Sequence, residues 1–158
     1  MRYSGTLFAV KDMTCARGFY ENLLECIPEM DLEVYVSYTN GLCLQDEKIW
    51  LGFIEKRDGQ LIYGANDAEI YFEAEDLDAF LVRLESFHVK LVHPLKEHSW
   101  GQRAIRFYDP DQHIIEVGEG LDQVARRFMK SGMSLEEAAK RIEVSTEYLR
   151  ARLNQSID

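Results

Sequence analysis

The feature that most constrains the fold of this chain is a strand–helix pattern that occurs twice. TLFAVKDMTCARGFYENLL, residues 6–24, starts with alternating apolar residues and continues with apolar residues at helical spacing. EIYFEAEDLDAFLVRLESF, residues 69–87, repeats this pattern, and Asp76 takes the place of Asp12 as the N-cap residue of the helix. Because neither half is large enough to bury a core alone, the repeat predicts two similar modules packed side by side.

Each strand–helix unit is followed by segments with the alternation and the turn residues of β-hairpins. These segments are residues 32–38 and 42–45 in the first half and residues 90–95, 103–108 and 113–119 in the second. Each half is therefore predicted to fold as β-α-β-β-β, which makes the chain an α+β protein whose two tandem modules form a cupped mixed sheet. The intervening residues 46–67 carry turn signals and are predicted to form an extended connection.

The end of the chain differs in character and predicts a tail of three helices. Residues 121–131 have helical spacing, and Gly132 ends this first helix. Ser134 and Ser145 are N-cap residues for the two helices that follow. The predicted division of the chain is module one at 1–66, module two at 67–120 and the helical tail at 121–158.

Charge and composition exclude several classes of protein. The net charge is −10, while 46% of the residues are apolar, as in a folded globular chain. The tail holds seven basic and six acidic residues, so the negative charge lies in residues 1–120 and opposes binding to a nucleic-acid backbone. No apolar run approaches the roughly 20 residues of a membrane helix, and no signal peptide is visible, so we expect a cytoplasmic protein without a membrane partner. Three cysteines without CxxC spacing predict neither a zinc ribbon nor a disulfide framework.

Two motifs, one in each half, point to a fold family. The first half carries Val10-Lys11-Asp12, Ala16, Phe19-Tyr20 and Leu23-Leu24, and the second carries WGQRAIRFYDPDQHIIEVGE, residues 100–119. Together they resemble the vicinal oxygen chelate superfamily, which includes glyoxalases, bleomycin-resistance proteins and extradiol dioxygenases. The resemblance covers residues 1 to 120 and implies paired βαβββ modules around a cavity, commonly in a homodimer. Because one fold hosts many reactions, it does not identify a substrate.

The resemblance also implies where a metal would bind. In metal-using members of the superfamily, four positions on the first and last strands of the two modules face the cavity, and Gly5, Gln45, Glu69 and Glu116 stand there in this chain. The usual histidines are absent, which leaves Glu69, Glu116 and Gln45 as candidate ligands and Glu69 and Glu116 as candidate catalytic residues. Oxygen donors favour Mg or Mn, whereas imidazole favours Ni or Zn. A divalent metal and a metal-free pocket are the two alternatives.

Strand alternation adds further candidates for binding a ligand. If Glu69 faces the cavity, Tyr71 and Glu73 share its face, and Ile114 accompanies Glu116. Trp100 lies in a loop that leads toward Glu116, and Arg103 or Arg106 is a candidate counter-charge. Without a metal, two neighbouring carboxylates repel each other, so we expect the pKa of at least one to rise. The candidate ligand-binding residues are Gln45, Tyr71, Glu73, Ile114, Trp100 and Arg103.

Three functions follow as hypotheses. The favoured one is binding of a cationic or hydroxylated small molecule in the cavity, and the first alternative is a metal-dependent lyase, isomerase or dioxygenase. The second alternative is an effector-sensing regulator, because residues 132–153 resemble a helix-turn-helix. Its second helix would offer Thr146, Tyr148, Arg150 and Arg152 to DNA. The near-neutral tail and the acidic body weigh against that role, so we expect a homodimer with a small-molecule ligand and no nucleic-acid partner.

Overall fold

The computed structural model describes residues 1–155. Module one contains β1 (Thr6–Val10), α1 (Met13–Asn22), β2 (Pro28–Asp31), β3 (Tyr35–Tyr38) and β4 (Leu42–Asp46), followed by α2 (Glu47–Phe53). Module two contains β5 (Glu69–Ala74), α3 (Leu77–Glu85), β6 (Leu91–Glu97), β7 (Arg103–Tyr108) and β8 (Ile114–Glu119). The tail contains α4 (Leu121–Lys130), α5 (Leu135–Ile142) and α6 (Thr146–Gln155). The predicted α+β architecture with two tandem modules and a three-helix tail is confirmed.

The two modules have the same sheet topology. The strand order is β1-β4-β3-β2 in one four-stranded sheet and β5-β8-β7-β6 in the other. In each sheet the first and last strands of the module pair in parallel, and the remaining pairs are antiparallel. The internal repeat in the sequence is therefore a repeat of the whole fold unit.

The N-cap residues of the two repeated helices lie where the sequence predicts them. The side chain of Asp12 accepts a hydrogen bond from the backbone N–H of Cys15, and that of Asp76 accepts one from Ala79, each at 2.9 Å. These bonds satisfy backbone donors that have no partner within the first turn of a helix. The caps fix where each strand ends and each helix begins.

One apolar core joins the two modules. Phe107 of β7 lies near aromatic rings from both repeated helices, with centroid distances of 6.2 Å to Phe19 and 6.1 Å to Phe80. Burial of apolar side chains of this size contributes about 2 kcal/mol each, so the shared core holds the modules together. Its other large buried members include Val10, Tyr20, Leu23, Val36, Tyr38, Leu44, Leu84, Ile115 and Val117.

Two local predictions were wrong. Residues 46–67 were expected to be extended, but residues 47–53 form α2, because the side chain of Asp46 accepts hydrogen bonds from the N–H groups of Lys48 and Ile49. The strand predicted over residues 32–38 covers only β3, and β2, which precedes residue 32, was not predicted. Glu33 adopts a left-handed φ of 66°, and the chain turns there between β2 and β3.

The tail has an apolar core of its own. Its members, separate from the core of the two modules, are Val124, Ala125, Phe128, Ala138, Ala139, Ile142 and Leu149. Ser134 begins α5 with a reciprocal capping box to Glu137, as its sequence signature predicts. None of the helices among residues 1–155 is long and apolar enough to span a membrane.

Candidate functional site

A cavity of about 480 Å³ lies between the sheet of module two and the tail. Strands β5, β7 and β8 and the loop before β7 supply most of its wall, and the tail supplies the rest. The lining residues are Glu69, Tyr71, Glu73, Trp100, Gln102, Arg106, Glu116, Leu121, Ile142 and Glu143.

A row of four polar residues crosses the sheet beside this cavity. The strand register pairs His93 with Arg106, Arg106 with Glu116, and Glu116 with Tyr71. Paired residues on adjacent strands point to the same side of a sheet, so these side chains face one another across neighbouring strands. The backbone alone therefore brings an acid, a guanidinium and an imidazole together.

Arg106 is the centre of this polar group. Its Nε donates a hydrogen bond to Glu69 Oε2 at 2.7 Å, and its Nη1 lies 3.2 Å from His93 Nε2. Its Nη2 forms an ion pair with Glu116, whose side chain is only 7% exposed. A buried carboxylate without a counter-charge is strongly destabilising, so Arg106 explains how Glu116 is tolerated in an apolar strand.

The two carboxylates beside Arg106 titrate differently. Burial raises the pKa of Glu116 above its usual value. The hydrogen bond from Arg106 lowers the pKa of Glu69. This agrees with the expectation that one of two neighbouring carboxylates has a raised pKa, and opposite shifts are the arrangement that separates an acid from a base.

A second set of hydrogen bonds holds one wall of the cavity in place. Trp100 Nε1 donates to Gln102 Oε1 at 3.1 Å, and Gln102 Nε2 donates to the Tyr71 hydroxyl at 2.9 Å and to the Glu119 carbonyl at 2.8 Å. Burial raises the pKa of Tyr71 to about 12, so its hydroxyl stays protonated at neutral pH. The indole of Trp100 also stacks on His98 with a centroid distance of 4.3 Å.

Small residues next to this wall let its side chains pack closely. Gly118 and Ala104 are cross-strand partners on the cavity side of β8 and β7. A Cβ atom at Gly118 would lie 3.3 Å from Gln102 Nε2 and 3.4 Å from the Ala104 Cβ. A side chain at residue 118 would press on this wall, so glycine there allows the close packing of Gln102 and Ala104.

The tail is fastened over the cavity by polar contacts and one aromatic ring. Arg127 Nη2 donates to the Gly101 carbonyl at 2.5 Å and to Glu119 Oε2 at 2.9 Å, and Arg152 Nη2 donates to Glu73 Oε2 at 2.5 Å. Gly101 has φ +91°, and a Cβ there would lie 2.1 Å from the ring of Phe128. Glycine is therefore required at residue 101 both for its backbone conformation and for the docking of α4.

Comparison with known proteins identifies the family. A family model described as "Glyoxalase-like domain" matches residues 3–122. The chain belongs to the glyoxalase-like domain family. This confirms the predicted resemblance to the vicinal oxygen chelate superfamily. No curated protein matches the chain.

Solved structures support the same fold. A protein of unknown function from Agrobacterium tumefaciens str. C58 is 35% identical, with 76% of this chain and 94% of that one covered and a TM-score of 0.70. A glyoxalase-related enzyme from Fulvimarina pelagi is 16% identical, with coverage of 75% and 88% and a TM-score of 0.63. A lactoylglutathione lyase from Agrobacterium tumefaciens is 24% identical, with coverage of 73% and 91% and a TM-score of 0.55.

Part of the cavity lies outside the glyoxalase-like domain. The family match ends at residue 122, so helices α5 and α6 are additions to the domain. Ile142 and Glu143, which line the cavity, belong to this added part. The domain supplies most of the lining, and the end of α5 adds these two residues on the opposite side.

The residues of this glyoxalase-like domain do not fit a divalent metal. Glu69 and Glu116 are both occupied by the guanidinium of Arg106. Gln45, the third candidate ligand, lies in module one, where its Nε2 donates to the Val34 carbonyl at 2.6 Å. Among residues 1–155, no cluster of three His, Cys, Asp or Glu side chains is arranged to hold a metal ion.

The structure brings together five of the residues that the sequence singles out, namely Glu69, Tyr71, Glu73, Trp100 and Glu116. It places the other three elsewhere. Arg103 pairs with Glu119 and Asp78, Ile114 lines a separate cavity of about 110 Å³, and Gln45 is buried in module one. Their roles in ligand binding stay predictions.

Sequence reasoning missed several lining residues. Arg106 was predicted only as a counter-charge. Arg103 and Arg106 are three residues apart, so they lie on opposite faces of β7, and this spacing is the signal that distinguishes their positions. Gln102 carried no signal of its own. Leu121, Ile142 and Glu143 were missed because the docking of the tail on module two is not visible in any sequence pattern.

The helix-turn-helix prediction falls on α5 and α6. Tyr148 and Arg150 are exposed, whereas Arg152 is engaged with Glu73 at the cavity. While the tail is docked, this arginine does not face outward. The expectation that the chain has no nucleic-acid partner stays a prediction, and DNA binding by these helices stays the alternative hypothesis.

Proposed function

We propose that this glyoxalase-like protein binds a small organic molecule with a cationic group in the cavity of module two, without a metal ion. The observation that carries the proposal is the charge of the cavity wall, which contains four glutamates and one arginine. Because Arg106 is bound by two of these glutamates and Arg152 by a third, four negative groups face two positive ones, and the net negative charge that is left favours a positive ligand.

The apolar part of the wall indicates what the rest of the ligand is like. Trp100, Leu121 and Ile142 contribute an indole ring and two aliphatic side chains. Pockets that combine apolar walls with a few placed polar groups are typical of small-molecule sites. An amine or guanidine joined to a compact apolar or aromatic body matches this combination. The similarity to the lactoylglutathione lyase, at 24% identity, supports the fold and not that reaction.

A binding experiment with matched probes tests the proposal. Tyramine carries an ammonium group, and 4-ethylphenol has nearly the same shape without it. Quenching of Trp100 fluorescence, measured in a Trp50→Phe background, should show that tyramine binds and that 4-ethylphenol binds at least about tenfold more weakly, which corresponds to about 1.4 kcal/mol. Equal binding of the two probes would contradict the proposal.

A pair of variants locates the binding site. Glu143, the C-cap residue of α5, lines the cavity, whereas Glu136 in the first turn of α5 is exposed and does not. Glu143→Gln should weaken tyramine binding about threefold, as expected for the loss of one partly exposed ion pair, and Glu136→Gln should leave it unchanged. The same loss in both variants would indicate general surface attraction instead of a site.

A second candidate function is proton transfer by Glu116. The raised pKa of this buried carboxylate, beside Glu69 with its lowered pKa, is the observation that favours it. Aminoacetone combines an ammonium group with acidic C–H bonds next to a ketone. In D₂O, proton NMR should show faster loss of its methylene signal with the native protein than with Glu116→Gln. Equal rates would exclude this candidate.

A further inference from the structure

The tail holds itself together and is attached to module two mainly by a few side chains. Its three helices pack on one another around an apolar core to which neither module contributes. Its contacts with module two come mainly from Gln123, Arg127 and Phe128 of α4 and from Arg152 of α6. The core of the tail therefore stays intact when these contacts break.

The two ends of the tail are attached with different strength. Helix α4 follows β8 directly after Gly120, and its Arg127 donates to Glu119, whose side chain is only 4% exposed. Helix α6 reaches the sheet through Arg152 and Glu73, whose side chains are 30% and 39% exposed. Ion pairs between exposed groups contribute little and are screened by salt. The attachment of α6 is therefore the one that opens more easily.

Glu73 is the point at which this attachment and the cavity meet. Its carboxylate lines the cavity of about 480 Å³, and its Oε2 accepts the hydrogen bond from Arg152 Nη2 at 2.5 Å. Its Oε1 lies 3.5 Å from the hydroxyl of Tyr71, which also lines the cavity. A guanidinium of the protein thus takes the place beside Glu73 that the charged group of a cationic ligand would take.

We infer that the tail is an autoinhibitory lid, which Arg152 keeps closed by holding Glu73 until the cationic group of a ligand takes its place. The inference rests on the proposed function, because it needs a cationic ligand. When such a ligand binds Glu73, Arg152 loses this partner and α6 loses its attachment to the sheet. A change that weakens the closed state should therefore increase the affinity for the ligand.

Tyramine binding to three arginine variants tests the inference, measured by quenching of Trp100 fluorescence in the Trp50→Phe background. Arg152→Gln should bind tyramine about threefold more tightly than the native protein, as expected for release of one partly exposed ion pair. Arg150→Gln is the matched control, because Arg150 is exposed and two residues away on the helix, on another face. It should leave the affinity unchanged, and Arg152→Lys, which keeps a cation, should retain the native affinity.

A double variant tests whether Arg152 acts through Glu73. Glu73→Gln should weaken tyramine binding, and addition of Arg152→Gln to it should cause no further change, because the shared carboxylate is gone. A threefold gain that persists in the Glu73→Gln background would overturn the inference, since it would be a general effect of charge. Equal affinity of the native protein and Arg152→Gln would overturn it as well, while the proposed function would stand.

Hydrogen exchange in α6, measured without any ligand, tests the lid itself. Arg152→Gln and Glu73→Gln should raise exchange to the same extent, because a helix end that loses its attachment opens more often. Glu143→Gln removes another carboxylate of the cavity wall and should leave exchange unchanged. Equal exchange in the native protein and Glu73→Gln would overturn the inference. Absence of tyramine binding in every variant would instead overturn the proposed function and, with it, the cationic ligand assigned here.

Discussion

The two modules share one topology and differ in what their corresponding strands carry. In module one, Gln45 of β4 is 3% exposed and its amide is bonded to the Val34 carbonyl. Helix α2 follows directly and packs against β4 and β1. In module two, Glu116 of β8 faces a cavity of about 480 Å³, and the covering helices come from the end of the chain.

This comparison shows that the repeated unit determines the backbone fold of each module but not which polar side chains its strands carry. Gly5, which precedes β1, has no room for a side chain, because a Cβ atom there would lie 2.6 Å from the Gly41 carbonyl oxygen. Glu69 begins the corresponding strand of module two and binds Arg106. A closed module and an open one therefore coexist on a single core, and the open one holds the candidate site.

Removal of Arg106 should give the largest difference in stability between a variant of module two and a variant of module one. Arg106→Ala leaves the buried Glu116 without its counter-charge, so we expect the free energy of unfolding at pH 7 to fall by about 3 kcal/mol. Arg17→Ala in module one breaks more exposed ion pairs with Glu21 and Asp31 and should lower it by less than about 1 kcal/mol. Urea denaturation compares the two, and equal losses would mean that the charge of Glu116 is not buried.

A glycine substitution should reveal how the open module is covered. Gly101→Ala strains a left-handed backbone and pushes against Phe128, with an expected loss of about 2 kcal/mol. Gly59→Ala has a similar positive φ and open space around it, so it should lower stability by only about 1 kcal/mol. Thermal unfolding measures both losses. Hydrogen exchange in α4 should rise only for Gly101→Ala; an unchanged exchange rate would contradict the docking contact.

Substitution of two buried glutamines should distinguish a residue that only stabilises the fold from one that also supports ligand binding. Gln45→Leu removes the side-chain hydrogen bond to the Val34 carbonyl, which keeps the one from the N–H of Asp46, and should lower stability by about 1 kcal/mol, with no change in tyramine affinity. Gln102→Leu removes the bonds to Tyr71 and to the Glu119 carbonyl, with a similar loss of stability. It should also weaken tyramine binding. Weaker binding in Gln45→Leu would show that module one contributes to the site.

The smallest effects should appear in the pH dependence of stability. Arg106 lowers the pKa of Glu69 in the folded state, so this residue stabilises the fold above its usual pKa near 4.5, and the effect disappears as the pH falls through the lowered value. Burial raises the pKa of Glu116, so its contribution is complete below the usual pKa and disappears as the pH rises through the raised value.

The stability of the native protein should therefore change with pH in opposite directions relative to the two glutamate variants. Between pH 6 and pH 3, the native protein should lose stability relative to Glu69→Gln. Between pH 7 and pH 4, it should gain stability relative to Glu116→Gln. Urea denaturation at each pH measures both differences, with Gln45→Leu as a control that removes no titratable group. Parallel trends in the two glutamate variants would show that the two pKa values are not shifted apart.

Local signals in the sequence predicted the fold better than the site. Asp12, Asp76 and Ser134 act through residues a few positions away, so their roles as N-caps could be read from sequence. Helix α2 has the same kind of signal at Asp46, which the prediction of an extended connection over residues 46–67 did not use. Short-range hydrogen bonds explain both why these three N-caps were predicted correctly and why α2 was missed when Asp46 was not read as an N-cap.

The site depends on contacts between distant parts of the chain. Alternation placed Glu69, Tyr71 and Glu73 on one face correctly, because it needs only the period of a strand. The pairing of Arg106 with both Glu116 and His93 depends on strand register, which the sequence did not determine. The position of Glu143 at the cavity depends on the docking of the tail, which rests on a few polar contacts and the ring of Phe128.

The bond between Arg152 and Glu73 makes the last helix a tethered competitor for the cavity. A cation attached to the same chain is present at an effective concentration in the millimolar range, whatever the concentration of the protein. A free cation would displace Arg152 from Glu73 only at a concentration above this effective concentration. A cation bound at Glu73 and the docked position of α6 would therefore oppose each other.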